Sequence, residues 1–273
     1  MQLINTIITA FFDLILSPFS GLSPIWGLLV VSVLTGIVMV IIFKYTSNQS
    51  AIRETKDKIS AYFMEIRLFK DDLGLMLDAQ RRILRTNLRY MKYSVMPMLV
   101  MIVPVILILA QLGIRYANRP LRVGESALVK LKLAQDAPDD LPVSVETSDG
   151  IRLETPLFRM PGEGAVEFRI GVAEEGEHKL LIHVGDETVR ESIIATRQVR
   201  RVYPSRTQAS FSAALLAPGQ EPLPENSALD ELQLELPPQT LTVFGIHVNW
   251  LVFFFIASIA AGYSLKGVFR VQL

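Results

Sequence analysis

The chain has 273 residues, a formal net charge of zero from 27 Lys and Arg against 27 Asp and Glu, and 50% hydrophobic residues. It contains no cysteine, which excludes disulfides, thiolate metal sites and thiol nucleophiles. A mean hydropathy of +0.36 and three long charge-free apolar runs point to a membrane protein and away from a chain that folds in water alone.

Residues 1–18 place Leu3, Ile4, Ile7, Ile8, Phe11, Phe12, Leu14 and Ile15 on one broad helical face. Gln2, Asn5, Thr6, Thr9 and Asp13 cover the other at spacings of three and four. No Lys or Arg precedes Lys44, so the basic opening of a cleavable signal is missing. The pattern predicts an amphipathic helix lying in the outer interface, ended by Pro18, Gly21 and Pro24. A short or re-entrant apolar segment is the alternative.

Residues 25–43 read as the first transmembrane helix, with Trp26 at interfacial depth. Residues 46–93 then carry two apolar stripes. Ile52, Ile59 and Ile66 form one, with Phe63, and Leu77, Leu84 and Met91 form the other, with Leu88. Asp71-Asp72-Leu73-Gly74 separates them, which predicts an antiparallel helical hairpin joined by a tight turn. Residues 94–114 form a second span, with Pro97 expected in a first turn and Pro104 bending the interior. Between Lys44 and Lys92 stand eleven Lys and Arg against six Asp and Glu. Basic residues near span ends set orientation, so the hairpin is expected in the cytoplasm and the N-terminus outside. Arg115, Arg119 and Arg122 on the outer side count the other way but are outnumbered.

From Pro120 the pattern turns to strands. Ser126–Leu133, residues 143–146, Ala165–Val172, and residues 178–184 and 188–195 alternate or run apolar. Ser148-Asp149-Gly150 and Gly185-Asp186 mark turns between them. Residues 120–203 are therefore expected to form an extracytoplasmic, immunoglobulin-like β-sandwich, without that family's Cys…Trp…Cys signature. Residues 204–245 read as a Pro-rich loop and return strand, 246–265 as the third transmembrane helix and 266–273 as a cytoplasmic tail with Lys266 and Arg270.

Chemistry-bearing motifs are absent: the sequence has no P-loop, dinucleotide turn or nucleophile elbow. His178 and His183 fall on opposite faces of one strand, which argues against a shared metal and for solvated or edge histidines; His247 is placed at the mouth of the third span. Asp139-Asp140 and Glu174-Glu175 read as solvated turns. No enzymatic activity and no cofactor are expected. The spans contain no Asp, Glu, Lys or Arg, which disfavours ion-coupled transport. Their mild polar residues Ser32, Thr35, Gln111, Asn249 and Ser258, with the methionines Met39, Met96, Met98 and Met101, are candidates to line a groove. The same polar residues would otherwise serve as interhelical hydrogen-bond partners, and the methionines as ordinary packing. Arg67, Lys70, Arg81, Arg82 and Arg85 are candidate contacts on the hairpin, with a ribosome left open as their partner.

The order of these parts, with Ser17-Pro-Phe-Ser-Gly-Leu-Ser-Pro-Ile-Trp-Gly27, Ser47-Asn-Gln-Ser-Ala-Ile-Arg53 and Leu68-Phe-Lys-Asp-Asp-Leu-Gly74, resembles the YidC/Oxa superfamily of membrane insertases. The resemblance covers the membrane core and hairpin, about half of the chain, and is architectural more than motif-based. It implies a three-transmembrane-helix YidC/Oxa-like core with a cytoplasmic helical hairpin in a bacterial inner membrane. The immunoglobulin-like β-sandwich is then inserted between spans two and three. It further implies an insertase or intramembrane chaperone whose partners are the lipid bilayer and nascent or client membrane proteins. Residues 24–43 lack the groove arginine that this superfamily carries on its first core helix. The alternative is a non-catalytic membrane-complex subunit whose β-domain binds an extracytoplasmic protein partner.

Overall fold

The computed structural model describes residues 2–69, 72–134, 137–138, 141–160, 162–225, 227–243, 245–269 and 271, except the side chains of residues 2–4 and 212. Lys70, Asp71, the Asp139-Asp140 pair and Arg270 lie outside the described residues. The chain forms two compact units, Met1–Leu28 with Leu107–Trp250, and Leu29–Ile106 with Leu251–Leu273.

The second unit is helical. Helix α2 (Pro24–Thr46) contributes its residues from Leu29 onward, and α3 (Gln49–Leu68) follows. The Asn48 side chain caps α3 by accepting from the Ala51 amide at 3.0 Å. Asp72 Oδ1 accepts from the Gly74 and Leu75 amides at 2.9 and 3.1 Å, which starts α4 (Leu73–Tyr116). The hairpin and second span were expected as separate pieces, yet α4 runs unbroken through both Pro97 and Pro104. Pro97 thus sits inside a helix and not in a first turn; each proline removes only its own backbone donor, and the turns around it keep theirs. Helix α6 (Trp250–Leu265) is apolar along its length but has 16 residues. At ~1.5 Å per residue it is shorter than the ~20 residues that cross a bilayer core. Among the described residues, two helices are therefore long and apolar enough to cross a membrane, α2 and α4. Their apolar side chains, such as Leu34, Val38 and Val103, are exposed, unlike those of a buried core helix.

The other unit is rich in antiparallel sheet. Its strands are β1 (Ser126–Leu133), β2 (Val143–Thr147), β3 (Ile151–Leu153), β4 (Phe158–Met160), β5 (Ala165–Val172), β6 (Gly176–Val184), β7 (Glu187–Ala195), β8 (Ser205–Thr207), β9 (Leu229–Leu234), β10 (Leu241–Val243) and β11 (Ile246–Val248). One sheet has the order β3-β5-β1-β9-β8, with β4 also on β5, and the other β2-β6-β7. A single buried cluster draws Val129 and Leu131 from β1, Phe168 and Ile170 from β5, Leu180 and Ile182 from β6 and Leu232 from β9. The two sheets therefore share one core, as in a sandwich. Val184 pairs with Glu187 across a two-residue turn, where Gly185 takes φ +59°, a conformation that disfavours a side chain.

Three expectations change here. Residues 204–245 are not merely a loop: β9 pairs with β1 along Val129–Leu133, and a short helix α5 (Phe211–Leu216) lies between β8 and β9. Leu229, Leu232 and Leu234 complete the core; the three-residue step from Leu229 to Leu232 coincides with a register shift against β1, and with flanking prolines it hid the period of two. The third apolar helix was expected from residue 246, but Ile246–Val248 pair with Leu241–Val243 in a hairpin, so α6 begins at Trp250. His178 is buried, not a solvated edge residue: its Nδ1 lies 2.9 Å from the Asp149 carbonyl oxygen and its Nε2 2.9 Å from that of Glu174. His183 is partly exposed beside Thr188, and His247 is exposed on β11.

The ends of the β-rich segment are tied together. The Arg119 amide donates to the Pro237 carbonyl at 3.0 Å, the Gln239 amide to Ala117 at 3.1 Å, and Asn118 Nδ2 to Leu236 at 3.0 Å. Helix α1 (Gln2–Leu16) belongs to the same unit, and its polar stripe faces inward. Asn5 Nδ2 donates to the Ala214 carbonyl at 2.7 Å, Thr9 Oγ1 accepts from Gln111 Nε2 at 2.8 Å, and Asp13 Oδ1 accepts from Arg115 Nη2 at 2.5 Å. Ile7, Phe11 and Leu14 on the other side are 61, 58 and 75% exposed.

Replacing Phe168, which is 1% exposed in the shared core, with Ala is expected to lower stability by about 3–5 kcal/mol in urea unfolding. Phe158→Ala at an exposed site should change it by less than about 0.5 kcal/mol. Arg119 grips Glu125 through two bonds of 2.7 and 2.8 Å, and these bonds hold the Glu125 carboxyl below its usual range. A depressed folded-state value means a contribution complete above the ordinary glutamate range and lost as pH falls through the folded value. Glu125→Gln should therefore flatten the acid side of the stability–pH curve; an unchanged slope contradicts this assignment.

Candidate functional site

Within the helical unit, α2, α4 and α6 line an open cavity of about 370 Å³. The sequence reason is the pairing of two glycines. A Cβ on Gly36 of α2 would stand 2.5 Å from the Ser258 carbonyl oxygen and 3.0 Å from the Gly262 amide nitrogen. A Cβ on Gly262 would meet Val40 Cγ2 at 3.2 Å. The backbones of α2 and α6 are thus in direct contact, as small residues permit in membrane helices. Phe254 packs buried at this seam with its ring edge-on to Phe255, centroids 5.3 Å apart.

Four of the expected groove residues meet at this cavity: Thr35 and Met39 on α2, Met101 on α4 and Ser258 on α6. The hydroxyls among them do not wet it. Thr35 Oγ1 donates to the Val31 carbonyl at 2.8 Å, and Ser258 Oγ donates to Phe255 at 3.1 Å, each within its own helix. Ser32 is buried but lies off the lining, and Met96 and Met98 are exposed elsewhere on α4. Gln111 and Asn249 fall in the other unit: Gln111 bonds Thr9 and Arg115, and Asn249 links β11 to α6. The reading by residue type missed Gly36, Phe254 and Gly262. The Gly36 and Gly262 pair is visible in the sequence but gains meaning only when α2 and α6 are neighbours. The surface of the cavity is almost wholly hydrocarbon, so it can accommodate apolar side chains.

On the hairpin, Arg82 bridges Glu65 at 2.9 Å and Asp78 at 2.6 Å and lies over the Tyr62 ring at 5.3 Å. Lys56 sits over Tyr90 at 5.7 Å, a second tie between α3 and α4. Arg82 is thereby a structural cross-link, whereas Arg67, Arg81 and Arg85 are exposed. Ile52 is fully buried, but Leu77, Leu84 and Met91 are exposed, so the second apolar stripe does not close on the first.

Among the described residues no group of three or more His, Cys, Asp and Glu is placed to hold a metal ion. No protein-family model, curated protein or solved structure matches this chain.

The glycine seam makes a sharp prediction. Gly36→Val is expected to cost about 1–3 kcal/mol by forcing α2 from α6, read as a lowered unfolding midpoint in detergent. Gly113→Ala, where nothing lies within 4 Å of the added carbon, should be neutral or stabilising by up to about 1 kcal/mol. Equal effects from the two substitutions would rule out the proposed contact.

Proposed function

We propose that this chain is an integral membrane protein of the YidC/Oxa superfamily, acting as an insertase or intramembrane chaperone in a bacterial inner membrane. The observation that carries this reading is the apolar cavity between α2, α4 and α6, with Met39 and Met101 in its lining. Three helices then make a membrane core, with α6 as its third, shorter member. Thioether side chains adapt to varied apolar surfaces, so the cavity suits transient contact with client helices of different sequence. Lacking polar lining and a groove arginine, it would take apolar or mildly polar segments from the lipid side and offer little to a charged one. Clients are nascent or newly made membrane proteins, and the basic hairpin with its exposed Leu77, Leu84 and Met91 is their cytoplasmic reception surface or a ribosome contact.

The inward polar stripe and outward Ile7, Phe11 and Leu14 of α1 support membrane residence for the other unit too, because such a helix is inside out for water. The excess of Lys and Arg between Lys44 and Lys92 supports a cytoplasmic hairpin, with the N-terminus and β-domain outside. The β-domain reads as immunoglobulin-like. The runs β3-β5-β1 and β2-β6-β7 follow the D-E-B and C-F-G orders of that fold, and β9 takes the place beside β1 that a first strand would occupy.

The hydroxyls of Thr35 and Ser258, both engaged within their own helices, favour a second reading. In it the core is a scaffold, and the β-domain recruits an extracytoplasmic protein into a membrane complex. One experiment separates them. A photo-crosslinker at Met39 or Met101 should capture nascent membrane proteins several-fold more than one at exposed Val103. Equal capture at all three positions, alongside a stoichiometric partner lost on Phe168→Ala, would favour the scaffold instead.

A further inference from the structure

A second cavity, of about 380 Å³, lies in the unit formed by Met1–Leu28 and Leu107–Trp250. Its lining is more polar than apolar and includes Arg115, Arg200 and Arg201 against a single carboxylate, Asp13. Arg115 is 4% exposed and fixed by three acceptors: the Gln111 carbonyl at 2.7 Å, Gln111 Oε1 at 2.8 Å and Asp13 Oδ1 at 2.5 Å. Arg201 approaches the other Asp13 oxygen at 3.6 Å, while the exposed Arg200 and the hydroxyl residues Ser17 and Ser20 are also in the lining. One carboxylate cannot neutralise three guanidinium groups, so the cavity retains an excess of two positive charges. Asp13 is already held by Arg115 and meets Arg201 only at 3.6 Å, and Arg201 also bears on the Tyr203 hydroxyl, so the exposed Arg200 and the remaining donors of Arg201 are what face an added anion.

We propose that this cavity binds a phosphate group, carried by the headgroup of an anionic lipid. Guanidinium matches phosphate with paired, charge-assisted hydrogen bonds, and the buried Arg115 adds a fixed positive field behind them. The source follows from α1. The helix that supplies Asp13 to the cavity exposes Ile7, Phe11 and Leu14 on its outer side, which sets the cavity at the depth where acyl chains give way to headgroups. The site thus rests on the membrane reading above, and it gives α1 a second task, anchoring the β-domain to a chosen class of lipid.

The test uses the full chain in nanodiscs of phosphatidylcholine alone or with phosphatidylglycerol. Phosphatidylglycerol should raise the unfolding midpoint and be retained in native mass spectrometry. Arg200→Gln with Arg201→Gln should weaken retention about tenfold, the scale of one lost charge-assisted contact. Arg152→Gln with Arg169→Gln, an equal charge change on exposed strand positions, should leave it unaltered. A rise produced in phosphatidylcholine discs by inorganic phosphate, and abolished by the Arg200 and Arg201 changes, keeps the phosphate site but makes its source the free anion. No preference between the lipids and no response to phosphate, or equal loss in both double variants, overturns the proposal. Failure of the wild type to enter nanodiscs at all would instead strike the membrane reading.

Discussion

Arg115 is almost fully buried and always charged, so it must have acceptors or destabilise whatever contains it. Leaving such a charge unpaired costs about 3–5 kcal/mol, a large share of any domain's stability. Its acceptors come from Asp13 on α1 and from Gln111 one turn back on its own helix, while Gln111 in turn donates to Thr9. This chain of bonds dictates which side of α1 faces the protein. Once the polar side is turned inward, Ile7, Phe11 and Leu14 have no place but outside. In water that arrangement forfeits hydrophobic burial, whereas in lipid it costs nothing.

A separate set of bonds explains how a large β-domain is accommodated in a chain of apolar helices. Its entry and exit segments are clamped by the bonds of Ala117, Asn118 and Arg119 to residues 236–239. An insertion whose ends meet adds little strain to the elements on either side. The Val202 amide donates to the Ile114 carbonyl at 2.8 Å, so the terminal turn of α4 is held within the unit that contains the sandwich. The helical unit follows different rules, with two glycines setting a backbone contact and an apolar cavity beside it. The hydroxyls of Thr35 and Ser258 at that cavity are silent because their own helices satisfy them.

Composition and period alone made some features legible. Charge-free runs marked the apolar helices, because every backbone group in a bilayer must be satisfied internally and charged side chains are costly there. Alternation marked β1 and β5 at Ser126–Leu133 and Ala165–Val172, and Gly185-Asp186 marked the turn between β6 and β7. The polar stripe of α1 was also plain, at Asn5, Thr9 and Asp13. Water was the default partner for it, and a helical wheel cannot say otherwise.

Tertiary structure decided the rest, since each remaining feature joins residues far apart in the chain. Arg115 and Asp13 are 102 positions apart, and only folding shows that one neutralises the other. β9 hid behind prolines until its pairing with β1 gave its leucines a core to fill. Thr35 and Ser258 looked like groove lining by type, yet their rotamers turn the hydroxyls back on their own helices. Local sequence carries periodicity, which fixes what kind of element forms. Which face of an element meets which neighbour depends on contacts whose energies no local window contains.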